Sequence, residues 1–394
     1  MAARGVVVMD RKRFTWSLSL YYTTLFLILG LQLPYLPLWI ESRGLSATQI
    51  SVILAIPMAV RLGATPAMTY LADRLPARRT AIALFSLATA VVYFGYHLAN
   101  TFWSIALVTA LVSIFLNPLT PITEATAMRG ARFYAVDYGR IRLWGSLSFI
   151  AANIVGGAIV ARAGGPGALV AINVAAVLTA IAALALPSRD HSSEPPGERV
   201  RATRPPISEL YGLLRQPAFA GVLVGSGLIQ ASHAFYYAFG SISWVAEGIP
   251  ASTVGLLWAV GVLVEVGLFA ASGRVLAVLG VRGLFALGVG AALVRWTLMA
   301  WVWPIAAYFP IQMLHALTFG ATHLATMNYL TETAPERHSS GAQGLYFTVY
   351  GLMTGLVTLI AGPLYRSYGV GGYAAMAIMA AFGGIVLVLS LRRR

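Results

Sequence analysis

The sequence predicts an all-α polytopic membrane protein with twelve transmembrane helices arranged as two six-helix halves. Three observations predict it. The 394 residues are 58% hydrophobic and only 10% charged, against about 25% charged in a soluble domain. That is too little charge to cover a water-facing surface. The apolar blocks run to about twenty residues or more, the length a helix needs to cross ~30 Å of hydrocarbon. They are too long for the ~10-residue alternating strands of a membrane barrel. Finally, the basic residues fall between the blocks rather than on one module. This composition excludes an ordinary soluble enzyme, a disordered chain and, despite a net charge of +14, a nucleic-acid-binding domain. No cysteine is present, so disulfides and thiolate metal sites are excluded.

The elements follow in order. Asp10-Arg11-Lys12-Arg13 precedes the first block, residues 14–40, which is too long for a signal-peptide core and lacks a small-residue cleavage site. It reads as an uncleaved first helix, with Met9 an alternative start. The other five spans of the first half fall near 47–70, 80–98, 102–127, 139–163 and 166–187. Those of the second half fall near 218–246, 252–273, 283–301, 304–331, 342–365 and 370–391. Residues 1–187 thus form an N-terminal six-helix bundle and 218–394 a C-terminal one. Between them, 188–217 is a linker: Ser188–Arg204 is rich in Pro, Ser and charge. Leu210, Tyr211 and Leu214 set against Glu209 and Arg215 predict a short interfacial helix over 207–215.

Loop charge sets the orientation. With the N-terminus inside, the outer loops carry only Arg43, Arg162 and Arg366, and some twenty basic residues lie inside. The positive-inside rule therefore puts both termini and the linker in the cytoplasm. A 6+6 chain with such a linker has the repeat layout of major facilitator transporters. Leu71-Ala72-Asp73-Arg74-Leu75-Pro76-Ala77-Arg78-Arg79 resembles their loop motif between helices 2 and 3, with Thr69 and Pro76 at its two glycine positions. Asp73 at a helix end can accept bonds from a neighbouring helix N-terminus and pair with Arg74 and Arg78, latching one conformation. The plainer alternative is anchoring by positive charge.

Five full charges fall inside spans: Arg61, Glu124, Arg142, Glu265 and Arg295. Unpaired, they would together cost about 15 kcal/mol on the insertion scale, as much as a typical folding stability of ~5–15 kcal/mol. They must be paired, wet, or both. Glu124 can also be read as an interfacial cap and Arg61 as a tie between helices. Helical period sorts the faces at 100° per residue. Helix 7 aligns Gln230, His233, Tyr237, Ser241 and Trp244; helix 8 aligns Trp258, Glu265 and Ser272. Helix 10 aligns His315, Thr318 and Thr322, with His323 some 80° round from His315. Helix 1 aligns Tyr21, Gln32, Tyr35 and Trp39, helix 4 aligns Asn117, Thr120 and Glu124, and Arg142, Ser146, Phe149 and Asn153 share a face of helix 5. Arg140 points almost opposite to Arg142 and snorkels to the cytoplasm. These polar and aromatic stripes predict a shared wet cavity; interhelical hydrogen bonding accounts for most of the threonines.

Asp137–Ser146, following Pro121-Ile122-Thr123-Glu124, resembles the helix 4–5 region of lactose permease-type proton symporters. In that likeness Glu124 and Arg142 take the substrate-binding carboxylate and guanidinium, and Arg295 and His315 match the Arg and His of helices 9 and 10. Thr318 stands at the proton-handling carboxylate and Gln312 at a lysine position. The phenylpropionate permease family is more similar: the likeness rests on Gln230–Tyr237, Val254–Trp258, Val264-Glu265-Val266, Val294-Arg295-Trp296 and Gln312–His315, together with the helix 4–5 block.

The resemblance implies a monomeric bacterial inner-membrane proton symporter for a small organic solute such as an aromatic carboxylate, needing no cofactor. Three intramembrane arginines against two glutamates favour an anion, and Tyr35, Phe149, Tyr237 and Trp258 could pack a ring. The expected substrate-binding set is Glu124, Arg142, Gln230, His233, Tyr237, Trp258, Arg295, His315, Tyr35 and Phe149. Glu265 is the first proton carrier, with His315 and Glu124 behind it. A sugar or nucleoside symporter and an exporter of the same fold stay open, as does a polytopic membrane enzyme. Against the last, the sequence has no paired-histidine metal motif, no Ser/His/Asp arrangement at one depth and no P-loop.

Overall fold

The computed structural model describes residues 2–75, 77–187, 212–335 and 338–392, with side chains described from residue 11 onward except at 73, 339 and 340. The linker Ser188–Arg204, most of the interfacial helix expected at 207–215 and the side chain of Asp73 lie outside the described residues. Among those described there is no strand. The first part comprises α1 (Ala2–Ser42), α2 (Ala47–Arg74), α3 (Arg78–Leu98), α4 (Phe102–Leu116), α5 (Leu119–Tyr134) and α6 (Tyr138–Leu184). The second comprises α7 (Pro217–Ala231), α8 (Ala234–Ala246), α9 (Ala251–Ala270), α10 (Ser272–Met299) and α11 (Ile305–Met313). A π-helical segment (Ala316–Ala321), α12 (Thr322–Thr333), α13 (Ser339–Tyr368) and α14 (Tyr373–Arg392) complete it. Nine stretches of the described residues are long and apolar enough to cross a membrane.

Two of these stretches are longer than one crossing. The 47-residue α6 would extend ~70 Å if straight, but Gly164 takes a left-handed φ of 61° that a side chain would resist, and Pro166 follows. Ala151 and Leu178, ~40 Å apart on a straight helix, line one groove, so α6 is a hairpin of two spans. The stretch Gly341–Arg392 breaks likewise at Gly369 (φ 54°) and a short 3-10 turn, Gly369–Gly372. Shorter interruptions divide other spans. Asn117 and Pro118 separate α4 from α5, and Ser232 and His233 separate α7 from α8.

The chain groups into two compact units, Met1–Leu45 with Ala59–Val200 and Ser46–Met58 with Arg201–Arg394. In the first, α1 packs along α6. Phe14 lies on Gly130, and the Tyr35 hydroxyl donates to the Asn153 carbonyl. A capping box between Thr101 and Ser104 starts α4. In the second, α7 packs against α14, and the start of α2 packs on α13, where Ser51 Oγ donates to the Leu359 carbonyl at 3.4 Å. Glu247 closes α8 and accepts from the Tyr308 hydroxyl at 2.7 Å.

Candidate functional site

Each unit holds one cluster of intramembrane charge. In the first, Asp137 caps α6 by accepting from the amides of Gly139 (2.8 Å) and Arg140 (3.4 Å). Starting the helix there puts Tyr138 and Arg142 one turn apart on the face turned to α5, and Arg140 outside with its side chain 87% exposed. Arg142 Nε meets Glu124 Oε1 at 3.1 Å, and the Tyr138 hydroxyl donates to Glu124 Oε2. From α1, the Phe26 ring lies 4.1 Å under the Arg142 guanidinium and Tyr22 lies 5.6 Å from it. The pair keeps 30% and 27% side-chain exposure. Tyr35 and Phe149 are not part of this cluster. Tyr35 is fully buried in the seam between α1 and α6, and Phe149 lies two helical turns, ~10 Å, along α6 from Arg142.

In the second unit, Arg295 of α10 is the centre and has no exposure at all. Its Nη2 donates to Gln312 Oε1 at 2.8 Å. Its Nη1 donates to His315 Nδ1 at 3.0 Å and Thr318 Oγ1 at 3.1 Å. The Nε–H is buried with no hydrogen-bond partner. The guanidinium lies 4.7 Å from the Trp296 ring and 4.9 Å from Tyr236. No carboxylate of the described residues touches it; Glu265 is reached only across His315, whose Nε2 lies 3.2 Å from Glu265 Oε2.

The donors and acceptors fix the histidine tautomers. A guanidinium only donates, so His315 Nδ1 is an acceptor, its proton sits on Nε2, and the ring is neutral. His233 is the reverse. Its Nδ1 donates to the Gln230 carbonyl at 3.1 Å, and in the neutral ring Nε2 accepts from the Thr318 hydroxyl at 2.9 Å, whose oxygen also lies 3.2 Å from the His315 carbonyl. Two one-way chains therefore leave Arg295. One runs through His315 to Glu265, the other through Thr318 and His233 to a backbone carbonyl.

Local backbone features make these chains possible. Gly261 lets α9 approach α11, since a Cβ there would stand 3.2 Å from the Gln312 carbonyl and from His315 Cβ. The π-helical Ala316–Ala321 winds more widely than an α-helix. It removes the 80° offset expected for His323, and the rings of His315, Phe319 and His323 stack at 5.5 and 6.1 Å. Gln230 Nε2 donates to the Phe319 carbonyl inside that segment at 3.0 Å. The break before α8 turns both Tyr236 and Tyr237 onto Trp258, at 4.4 and 6.1 Å between ring centres, and Ser241 holds the indole N–H at 3.0 Å.

The structure thus brings Gln230, His233, Tyr237, Trp258, Glu265, Arg295 and His315 into one neighbourhood, and Glu124 with Arg142 into another. Arg61 is exposed and has no partner among the described residues. Arg74 stacks on Tyr70 at 4.5 Å, and Arg79 donates to the Leu184 carbonyl at 2.6 Å. Sequence reasoning missed the aromatic supports Phe26, Tyr22, Tyr236 and Trp296, and the part played by Tyr138. For Tyr138 the signal was available, one turn before Arg142; the rings beneath the guanidinia come from other helices or break the polar stripe.

The family model for the MFS_1 like family matches residues 15–373. A probable 3-phenylpropionic acid transporter of Escherichia coli (strain K12) is 30% identical over 92% of this chain and 94% of its own length. The maltose permease of Geobacillus stearothermophilus is 26% identical over 95% and 94%. Among solved structures, the nucleoside transporter NupG superposes with a TM-score of 0.81 at 16% identity, over 96% of this chain and 98% of that one. A bacterial homolog of the human lysosomal transporter Spinster does so at 0.75 and 15%, over 96% and 95%. These two likenesses speak for the fold alone. With a family match covering most of its length and relatives that carry solutes rather than catalyse reactions, the chain belongs to the MFS_1 like family and is a multi-pass membrane transporter of the major facilitator type.

Proposed function

We propose that this transporter is a proton-coupled symporter of an aromatic carboxylate. The observation that carries the reading is Arg295: a buried guanidinium whose hydrogen-bonded partners are all neutral, with its Nε–H unpartnered. A buried cation without a counterion is costly, and a substrate carboxylate is the natural group to complete it bidentately. The rings of Tyr236, Tyr237 and Trp258, stacked together beside it, form an aromatic wall of the kind that packs a substrate ring. The relative named as a 3-phenylpropionic acid transporter is consistent with that substrate class.

Coupling follows from the chain through His315. While Arg295 holds His315 Nδ1, that ring cannot take a second proton, so the group free to titrate is Glu265. In the empty protein Arg295 donates to His315 Nδ1, and the His315 Nε2–H is aimed at Glu265 Oε2. A substrate carboxylate neutralises Arg295 and leaves Glu265 in a poorly solvated site, where it binds a proton. Anion and proton thus promote each other's binding, and the coupling is reciprocal. Glu124 and Arg142 contact substrate, and Asp73, Arg74 and Arg78 act as the latch. The chain works as a monomer in a bacterial inner membrane with both termini cytoplasmic.

The test is uptake into proteoliposomes under an imposed pH gradient, offering aromatic acids, maltose and nucleosides in parallel. Gradient-driven accumulation of an aromatic acid is the expected result. A neutral-sugar symporter is the second reading, favoured by the maltose permease relative and by the self-neutral Glu124–Arg142 pair; accumulation of maltose alone would establish it. Reversing the gradient separates import from export.

A further inference from the structure

Along the outer flank of the first unit, α1 and the first arm of α6 leave an open groove of about 890 Å³ that no part of the transport chemistry uses. Its character changes along its length. The mouth is walled by Arg11, Lys12, Asp137 and Arg140, and Trp16 and Trp144 stand one turn further in. Beyond them the same two helices line a second groove, about 580 Å³ and wholly apolar, with Leu27, Leu31, Ala151 and Val155 on its walls. On α1 the lining residues Lys12, Trp16, Leu20, Leu27 and Leu31 recur at helical spacing. The two grooves therefore follow one seam. The tryptophans are 65% and 53% exposed, which on a membrane protein places them at the headgroup level.

Charge decides what the mouth can hold. Three basic side chains face one acid, and that acid is committed. Asp137 Oδ1 caps α6, and Oδ2 lies 3.5 Å from Arg140 Nε. Arg11 uses one N–H on the Ala135 carbonyl at 3.1 Å, and Lys12 is exposed without a partner among the described residues. Among the described residues the mouth is thus a net cation with no carboxylate free to receive a choline or ethanolamine head. A soluble anion would use the mouth and leave the tryptophans and the apolar extension unexplained.

The geometry points to this seam as a binding site for an anionic phospholipid. Its phosphate lies among Arg11, Lys12 and Arg140, and one acyl chain runs between Trp16 and Trp144 toward Leu27 and Leu31. The site occupies the leaflet at the end where the N-terminus lies, and it is independent of the transport reading.

Native mass spectrometry of the purified full chain tests it, with dioleoylphosphatidylglycerol and dioleoylphosphatidylcholine supplied in turn. The phosphatidylglycerol should fill one saturable site and the phosphatidylcholine should not. The double variant Lys12→Gln/Arg140→Gln should weaken phosphatidylglycerol binding about tenfold or more. Trp144→Ala, which leaves every charge in place, should weaken it as well. Arg13→Gln/Arg132→Gln removes the same charge outside the groove and should leave binding unchanged. Equal loss in both double variants, or equal binding of the two lipids, overturns the assignment. So does competitive displacement by inorganic phosphate, which would make the mouth a simple anion site. A dimer that disappears in Trp144→Ala also overturns it, because it gives the face to a second copy.

Discussion

Two of the guanidinia within the apolar spans, Arg142 and Arg295, are compensated by their surroundings in different ways. Arg142 meets Glu124 directly at 3.1 Å, and both keep roughly a quarter to a third of their side-chain exposure. Arg295 has none, touches no carboxylate among the described residues, and reaches Glu265 only through the ring of His315. The direct pair cancels its own charge, although Arg142 Nη1 is left without a hydrogen-bond partner, and partial exposure screens the pair to about 1 kcal/mol. A relayed pair leaves the cation under-compensated in a low-dielectric site, where any closer negative charge binds strongly. The difference teaches that the second unit is the one poised for an incoming anion, and that a proton balance can be set there by a group the anion never touches.

The largest effect should come from Arg295. Arg295→Gln should lower uptake of an aromatic acid roughly 10- to 100-fold, the equivalent of a charge-assisted hydrogen bond of about 1.5–3 kcal/mol. Arg295→Lys should not restore it, because a single ammonium cannot serve Gln312, His315 and Thr318 together. Initial uptake rates in proteoliposomes decide the point, and wild-type uptake by Arg295→Gln would break the comparison.

Next comes Glu265→Gln, which should keep exchange of substrate across the membrane but lose uphill accumulation. One coupled proton supports about tenfold accumulation per pH unit, or 1.4 kcal/mol, and the variant should fall to a ratio near one. Normal accumulation by this variant would remove Glu265 as the proton carrier. Glu124→Gln should matter less. Losing this partly exposed pair should change uptake by up to about fivefold, in line with ~1 kcal/mol, while accumulation continues. If Glu124→Gln instead abolished accumulation and Glu265→Gln did not, the roles of the two units would be exchanged.

The smallest effect concerns Glu247, outside the spans, whose carboxyl burial pushes above the ordinary range. An acid with a raised native pKa holds its proton more tightly folded than unfolded. Its contribution to stability is therefore greatest at low pH and is lost as pH rises through and beyond about 4–5. Thermal unfolding in detergent should show this slope in the wild type, and Glu247→Gln should flatten it. An unchanged slope in the variant would assign the pH dependence elsewhere.

Much of the fold was legible in the sequence because a membrane imposes length and hydropathy on every span. Even the hairpin at Gly164 lies inside the gap left between the spans expected at 139–163 and 166–187. The site was legible in part. Gln230, His233 and Tyr237 were found on one stripe because helical period is nearly preserved across the short break before α8. A regular α-helix would set His323 about 80° round from His315, whereas the wider π-helical Ala316–Ala321 lies between them and the rings of His315, Phe319 and His323 form one stack. Tyr35 was read toward substrate, yet it is buried in the α1–α6 seam with its hydroxyl bonded to Asn153. A polar face alone does not say whether it meets a cavity or a neighbouring helix.

What the sequence determined by itself was the class of solvent and the inventory of charge: apolar spans, basic loops, and a handful of ionisable groups too costly to leave alone. Only the tertiary structure decided their pairing. Arg142 took the carboxylate, Arg295 took neutral partners and two aromatic faces, and His315 came to stand between Arg295 and Glu265. The reason is physical. Hydropathy and helical period act along one segment, whereas hydrogen bonds and ion pairs act over about 3 Å between helices whose neighbours no local pattern specifies.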